Sequence, residues 1–291
     1  DMFTPRQLLS HVVHLKYVRE VGQEMAKQYG AANGGEGRLR WEAVMTYLAL
    51  VADKCTDYNS RLGVWDGTRQ KVAHAFDRHD YSFKWSFGEM NPILPRYGGW
   101  PWATEQVLDA YRQLSKLAAP YRMFFSRLPE EERPQIRVTR GNAAAYYDLP
   151  DGSVDLIVVD PPYYDNVMYA ECSDFFYVWQ KRALGHVFPE LFSGELTDKQ
   201  QEAVANIALF REREDAREAA RRDYEGKMRA AFRRMHGLLS DDGVMVVMFT
   251  HKQTEAWDAL ATALIEGGWE ITGSWPVHTE SEHSLHQAKK N

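Results

Sequence analysis

The feature that most constrains this chain is the apolar run Val154–Val159, which leads directly into Asp160-Pro161-Pro162-Tyr163. The turn pair Asp151-Gly152 precedes the run and the prolines end it, so the pattern predicts a short buried strand. Aspartate and proline are common where a strand ends in a plain turn. Two prolines followed by two tyrosines are unusual for such a turn. We therefore interpret 160–163 as a functional site at the carboxyl end of the strand.

Three further segments have the apolar composition of strands, and helical patterns lie between them. Strands are predicted at 136–139, 244–249 and 269–275, and helices at about 167–183, 196–239 and 254–267. A turn is predicted at 241–243, and Thr254 is predicted to cap the last helix. Strands that alternate with helices predict a parallel, doubly wound sheet. Ligands bind such sheets at the carboxyl ends of the strands, where Asp160 lies.

The N-terminal part of the chain has a different pattern. Helices are predicted at 5–28, 39–62 and 102–128, and residues 63–101 are irregular and rich in Trp, Gly and Pro. We therefore divide the chain into a mainly helical region, 1–130, and an α/β catalytic region, 131–291. The second region contains a charged helical insertion at about 186–239.

Composition limits the class of protein. The 291 residues suffice for one large domain or two ordinary ones, and the hydrophobic content of 44% is that of a folded soluble protein. A net charge of −6 argues against a uniformly basic nucleic-acid binder, but it leaves room for a local basic groove. Cys55 and Cys172 are far apart and have neither zinc-ligand spacing nor a disulfide framework.

These features predict a protein of the reducing cytoplasm, with no membrane partner. The sequence has no apolar run of about 18 residues and no basic-then-apolar signal at its start. The chain begins with Asp1 rather than Met, which suggests a fragment or a processed form.

The residues of 160–163 suit one kind of chemistry, methylation of an exocyclic amine. Such an amine is a poor nucleophile because its lone pair is delocalised into the ring of the base. Asp160 can accept one N–H, and the Pro161 carbonyl can accept the other. Pro161 and Pro162 fix φ and remove backbone donors, which stiffens the loop. Tyr163 offers a flat face for a base taken out of the duplex, and such stacking contributes about 1–3 kcal/mol.

The residues that follow are weaker candidates for contact with the base. Tyr164 and Tyr169 are candidates to line a substrate pocket. Asn166 is either a further substrate contact or the cap of the next helix. Phe175 and Trp179, on that helix, are better explained as core residues.

The tetrapeptide Asp160-Pro161-Pro162-Tyr163 resembles the signature of amino-directed DNA methyltransferases that use S-adenosylmethionine. The longer run 160–179 is similar to a narrower group, the large adenine-specific DNA methylases that carry a zinc-ribbon insertion. Residues 3–8 and 282–286 also resemble that family. The resemblance implies a Rossmann-like methyltransferase sheet, S-adenosylmethionine as cofactor and DNA as substrate. It further implies cofactor contacts from Asp160 and from Asn142, which stands where relatives often have an acid; the alternative for Asn142 is a left-handed turn.

The family's glycine-rich cofactor loop is not found in this sequence. Residues 34–37 are rich in glycine, but no strand precedes them. Neither the cysteines of the zinc ribbon nor a strand beyond Trp275 is present. We therefore expect a partial sheet, either the C-terminal-side portion of a longer methylase or one chain of a split enzyme. Such a chain alone is expected to bind S-adenosylmethionine weakly or not at all.

Several alternatives stay open. The substrate amine is expected to be adenine N6, but cytosine N4 follows the same acceptor logic, and a non-catalytic DNA-binding or scaffolding role is a separate class. Six arginines at 217–234 either contact phosphates or form an ion-paired solvated helix. Glu89 and Asn91 either face the active site or belong to a surface loop. His278, His283 and His286 are grouped, but methylation needs no metal and none is expected.

Overall fold

The computed structural model describes residues 1–29, 35–68, 70–76, 79–95, 98–124, 129, 136–146 and 148–277, and in 118–124 the backbone. The architecture is mixed, with six α-helices and small sheets in these ranges. The chain forms two compact units. Unit 1 contains Asp1–Ile136 and Ala170–Lys199, and unit 2 contains Arg137–Tyr169 and Gln200–Asn291.

Unit 1 contains helices α1 (Pro5–Gln28), α2 (Gly35–Tyr58), α3 (Trp100–Phe124) and most of α4 (Tyr169–Leu184). Its strands β1 (Trp65–Asp66) and β2 (Lys71–Val72) pair antiparallel. The prediction for α1 is confirmed at both ends. Its first turn is fixed by a capping box between Thr4 and Gln7. The observed α2 begins at Gly35 rather than Leu39, and α3 begins at Trp100 rather than Trp102.

The core of unit 1 is formed by α1, α2 and α4, which bring together buried side chains that include Leu15, Met45 and Trp179. A Cβ at Gly22 would lie 2.5 Å from the Met45 sulfur, so the glycine permits the close approach of α1 and α2. Phe175 and Trp179 are buried, as predicted for core residues. Residues 170–199, which the sequence analysis placed in the catalytic region, thus pack with the N-terminal helices.

Unit 2 is built on two parallel strands, β3 (Val154–Val159) and β4 (Leu239–Val247). Between them along the chain lie α4, a 3-10 turn (Ile207–Phe210) and α5 (Ala216–Leu238). Helix α6 (Thr254–Glu266) follows β4. The predicted strand at 154–159 is confirmed, and its parallel partner, predicted at 244–249, spans Leu239–Val247. The predicted turn at 241–243 is wrong as a separate element, because these residues lie within β4. They form an irregularity in the pairing with β3: Val154 pairs with Leu239, and Leu156 pairs with Val244.

Two other predicted strands are wrong. Residues 136–140 and 270–277 form neither strand nor helix, because neither segment has a hydrogen-bonded strand partner within the described ranges. Val138 is 91% exposed and Trp275 is 81% exposed, so neither contributes to a core. The predicted cap at Thr254 is also wrong: Thr254 is the first residue of α6, and Gln253 stands at the cap position. The end of α6 at Gly267 and Gly268 is confirmed, and Gly268 has the left-handed φ of +95°.

The two faces of the β3–β4 pair differ. On one face Val159, Met245 and Val247 pack against α5 and α6, in a core that contains Tyr224 and Phe232. The opposite face consists of apolar side chains that are 45–63% exposed: Leu156, Val158, Val244, Val246 and Met248. Parallel sheets are normally covered on both faces. Within the described part of the chain, only one layer of helices packs on this pair.

A search of the described helices for a segment able to cross a bilayer finds none with the necessary length and apolar composition.

Candidate target-amine site

An open cleft of about 1130 Å³ lies in unit 2 at the carboxyl end of β3. One wall is formed by residues 159–162, which contain the end of β3 and the start of the loop that follows it. The 3-10 turn Ala143–Ala145 and its preceding residues form a second wall. Helix α5 contributes charged side chains, among them Asp223 and Lys227, and small residues such as Gly226 and Ala230. The cleft therefore brings Asp160 and Asn142, which the sequence analysis paired, to one place.

Asp160 is exposed, and its carboxylate already has a hydrogen bond. The Tyr163 hydroxyl donates to Asp160 Oδ1 over 2.6 Å. The Tyr163 ring is half-buried and stands edge-on to Phe249, with 5.4 Å between the ring centres. A carboxylate offers about four acceptor positions, so the bond to Tyr163 leaves Asp160 able to accept an amine N–H.

The loop after Asp160 has a fixed backbone conformation. Tyr164 has a φ of +54°, a left-handed value that is uncommon outside glycine. Its N–H donates to the Pro162 carbonyl over 3.1 Å, and its own carbonyl accepts the Ala205 N–H over 2.9 Å. The Tyr224 hydroxyl also donates to the Pro162 carbonyl, over 2.9 Å. The loop is thus held by backbone bonds and by one side chain of α5.

The substrate-contact candidates that follow the prolines differ in burial and in position; they are Tyr163, Tyr164, Asn166 and Tyr169. Tyr164 is only 5% exposed and packs in the core of unit 2 against Tyr224, so it has no free face for a base. We therefore correct its assignment from substrate contact to core residue. Asn166 and Tyr169 are exposed, and neither lines the cleft. The Asn166 N–H donates to the Tyr163 carbonyl, and α4 begins only at Tyr169.

Asn142 begins the 3-10 turn on the opposite wall of the cleft. Its side-chain oxygen accepts the Ala144 N–H over 2.9 Å. Its φ is −92°, so the alternative of a left-handed turn at this position is wrong. The oxygen is engaged in one capping bond, and the amide NH₂ is a donor that Asn142 offers to a ligand.

A second group of residues, not identified from the sequence, lies at the carboxyl end of β4. Phe249 contacts Tyr163 and also stands edge-on to Trp257, with 5.0 Å between ring centres. His251 Nδ1 accepts the Gln253 N–H, so in the neutral ring Nε2 carries the proton and donates to Asp165 Oδ1 over 3.2 Å. Phe249 is the last residue of the strand predicted at 244–249, and His251 follows it closely. That position, which first drew attention to Asp160, is the signal that could have found them.

The arginines of α5 form ion pairs or hydrogen bonds within unit 2. Five of them pair with carboxylates, and the pairs are Arg217–Glu255, Arg221–Glu225, Arg222–Asp215, Arg229–Glu266 and Arg234–Asp151. Arg233 donates to the Glu266 carbonyl, and Arg234 to Asp151 and to the Tyr146 carbonyl. These contacts agree with an ion-paired helix rather than a row of arginines reserved for phosphates.

The other sequence candidates among the described residues are not part of the lining of this cleft. In unit 1, Glu89 accepts hydrogen bonds from Thr4 and Arg6 at the start of α1. The Asn91 side chain accepts the Ile93 N–H. These contacts explain both residues as parts of a folded loop. The residues 278, 283 and 286 of the histidine group lie outside the described residues.

No metal-binding group of three or more His, Cys, Asp or Glu side chains occurs within the ranges that the structure describes. Comparison of the chain with protein-family models, with curated proteins and with solved structures finds no match.

Proposed function

We propose that this chain carries the target-amine site of an S-adenosylmethionine-dependent DNA methyltransferase, which methylates the N6 amine of adenine. The observation that supports this best is the position of Asp160. Its carboxylate is exposed on an open cleft, at the carboxyl end of a parallel strand. Ligands of doubly wound sheets bind at such strand ends. The fold implied by this function is a partial Rossmann-like methyltransferase sheet.

The site residues have separate roles in this proposal. Asp160 accepts one N–H of the amine, and the Pro161 carbonyl accepts the other. Both bonds favour the geometry in which the nitrogen lone pair points away from the ring of the base. Within the described residues no hydrogen bond reaches the Pro161 carbonyl, whereas two reach that of Pro162. The Tyr163 ring, and beside it Phe249, supply aromatic surface for the base next to the cleft, although neither is among the residues that line it.

The fit of the residues to S-adenosylmethionine is partial. The cofactor, when bound, supplies an electrophilic methyl group. Asn142 and Asp160 lie on one cleft, which is large enough for a ligand of this size. The described residues contain no glycine-rich loop that follows a strand, because the glycines at 35 and 37 belong to α2. We assign no step of the reaction to cofactor contacts beyond these two residues.

We propose that the remaining cofactor contacts come from further polypeptide, either the rest of a longer methylase or a partner chain. The exposed apolar face of β3–β4 supports this. Its five large side chains, from Leu156 to Met248, are those that a second layer of helices would cover in a doubly wound fold.

Two other functions remain candidates. Cytosine N4 is an exocyclic amine that Asp160 and Pro161 would hold in the same way. A non-catalytic DNA-binding or scaffolding part of a larger methyltransferase is supported by the missing glycine-rich loop. The paired arginines of α5 argue against a DNA-binding role for that helix.

The test is the modified-base content of DNA from bacteria without their own adenine methylation that express the chain at its natural length. We expect N6-methyladenine with the native sequence, and background levels with Asp160→Ala. Asp155→Ala is the matched control, since Asp155 is exposed on the same strand. N4-methylcytosine in place of N6-methyladenine would favour the cytosine alternative. Equal methylation by the native protein and the Asp160 variant would contradict the proposal.

A further inference from the structure

Tyr224 is a buried residue of unit 2 that no sequence pattern singles out. It lies on α5, has no exposed surface, and is not among the residues that line the cleft. Burial raises the pKa of its hydroxyl to about 12, so the group stays protonated and acts as a hydrogen-bond donor. Both its hydroxyl and its ring contact the loop that follows Asp160.

Two of these contacts fix the loop. The hydroxyl donates to the Pro162 carbonyl over 2.9 Å. The ring packs edge-on against Tyr164, with 5.2 Å between ring centres and an interplanar angle of 88°. Tyr164 is the residue with left-handed φ, a conformation that costs free energy in a residue with a side chain. The packing against Tyr224 and the bond from Ala205 to the Tyr164 carbonyl stabilise it there.

The carbonyls of Pro161 and Pro162 consequently differ in the hydrogen bonds that they accept. That of Pro162 is bonded to Tyr224 and to the Tyr164 N–H, so it is not available to a substrate amine. That of Pro161 is the one that the proposed chemistry uses. The hydroxyl of Tyr224 thus occupies one of the two carbonyls, and no hydrogen bond within the described residues reaches the other.

We propose that Tyr224 is a positioning residue: it holds the Pro162 carbonyl and the Tyr164 ring behind the cleft, so that Asp160 and the Pro161 carbonyl are presented to the amine. This inference rests on the proposed function, because it assigns Tyr224 a part in the same site. Tyr224 touches neither the base nor the cofactor in this account.

The variant Tyr224→Phe removes the hydroxyl and keeps the ring, so the core packing is retained. Its matched control is Tyr81→Phe, because the Tyr81 hydroxyl donates to the Glu171 carbonyl over 2.6 Å in unit 1. Both variants are measured by amide hydrogen exchange and by methyl-transfer kinetics. Exchange of the α6 amides reports whether the core of unit 2 is intact.

We expect Tyr224→Phe to increase the exchange rates of the Tyr164 and Ala205 amides by about tenfold, because a buried carbonyl loses a donor and the loop opens more often. We expect kcat to fall by about tenfold, with KM for DNA within about twofold of the native value. The Tyr81 variant should change neither quantity. A merely structural role would lower the amount of folded protein without this division between kcat and KM.

The outcomes separate this inference from the proposed function. Unchanged exchange at Tyr164 and Ala205 would overturn the inference, and so would raised exchange with an unchanged kcat. If the native protein transfers no methyl group in any preparation, the proposed function fails and the catalytic role of Tyr224 fails with it. The exchange data then still decide whether Tyr224 orders the loop.

Discussion

Asp53 provides a prediction that depends only on the folding of unit 1. It lies on α2, where burial raises its pKa from the ordinary value of 3.8 to about 7, although a hydrogen bond from Gln180 opposes the rise. Its Oδ1 is buried and has no hydrogen-bond partner within the described residues. The folded state therefore binds more protons than the unfolded state between about pH 4 and pH 7. In that window the free energy of unfolding must fall as the pH rises.

The pKa difference sets the magnitude. One pKa unit corresponds to about 1.4 kcal/mol, so the change from 3.8 to about 7 corresponds to about 4 kcal/mol as an upper bound. Asp53→Asn removes the titration and keeps an oxygen that can accept from Gln180. The variant should therefore gain stability relative to the native protein, by up to about 4 kcal/mol, as the pH rises from about 4 to 8.

The measurement is urea unfolding of both proteins across this pH range, followed by tryptophan fluorescence. His11 acts in the opposite direction, because burial lowers its pKa to about 4 and its stabilising contribution grows as the pH rises. That contribution is common to both proteins and cancels in their difference. A difference in unfolding free energy that is the same at all pH values would refute the reasoning.

Two further predictions concern unit 2 and the cofactor. Phe232 lies on α5 and is fully buried in the core that α5 forms with α6, so Phe232→Ala should lower the free energy of unfolding by about 3–5 kcal/mol, whereas Val158→Ala, at a side chain 63% exposed, should change it by less than about 0.5 kcal/mol in denaturant titrations. Equal effects would contradict the assignment of the covered and exposed faces. Calorimetric titration of the isolated chain should detect weak S-adenosylmethionine binding or none, and micromolar affinity would contradict the need for further polypeptide.

The parts of the fold that depend on local sequence could be predicted. Helix α1 has the predicted bounds because Thr4 and Gln7 cap its start. Strand β3 could be recognised because its apolar run is flanked by a turn and two prolines. The predicted strands at 136–139 and 269–275 could not be judged from their own residues. A strand exists only with a hydrogen-bonded neighbour, and composition cannot say whether the neighbour is in the chain.

The candidate site shows the same division. Asp160, Pro161 and Pro162 could be placed from the sequence because they follow directly from a strand end. Tyr164 was expected at the substrate, but its left-handed backbone and its packing against Tyr224 put it in the core. Tyr224 and Phe249 reach the loop from α5 and from the end of β4. The contact from Tyr224 is long-range and leaves no local pattern in the sequence, whereas the position of Phe249 at a predicted strand end is a local signal.

The central claim, that Asp160 holds an exocyclic amine for methylation, is tested most directly by transfer of a labelled methyl group. The protein at its natural length, with any chain that co-purifies, is incubated with unmethylated DNA and S-adenosylmethionine labelled at the methyl group. The nucleosides are then separated. We predict label in N6-methyladenine, and its loss in Asp160→Ala but not in Asp155→Ala. Label in any nucleoside that persists in the Asp160 variant would contradict the account.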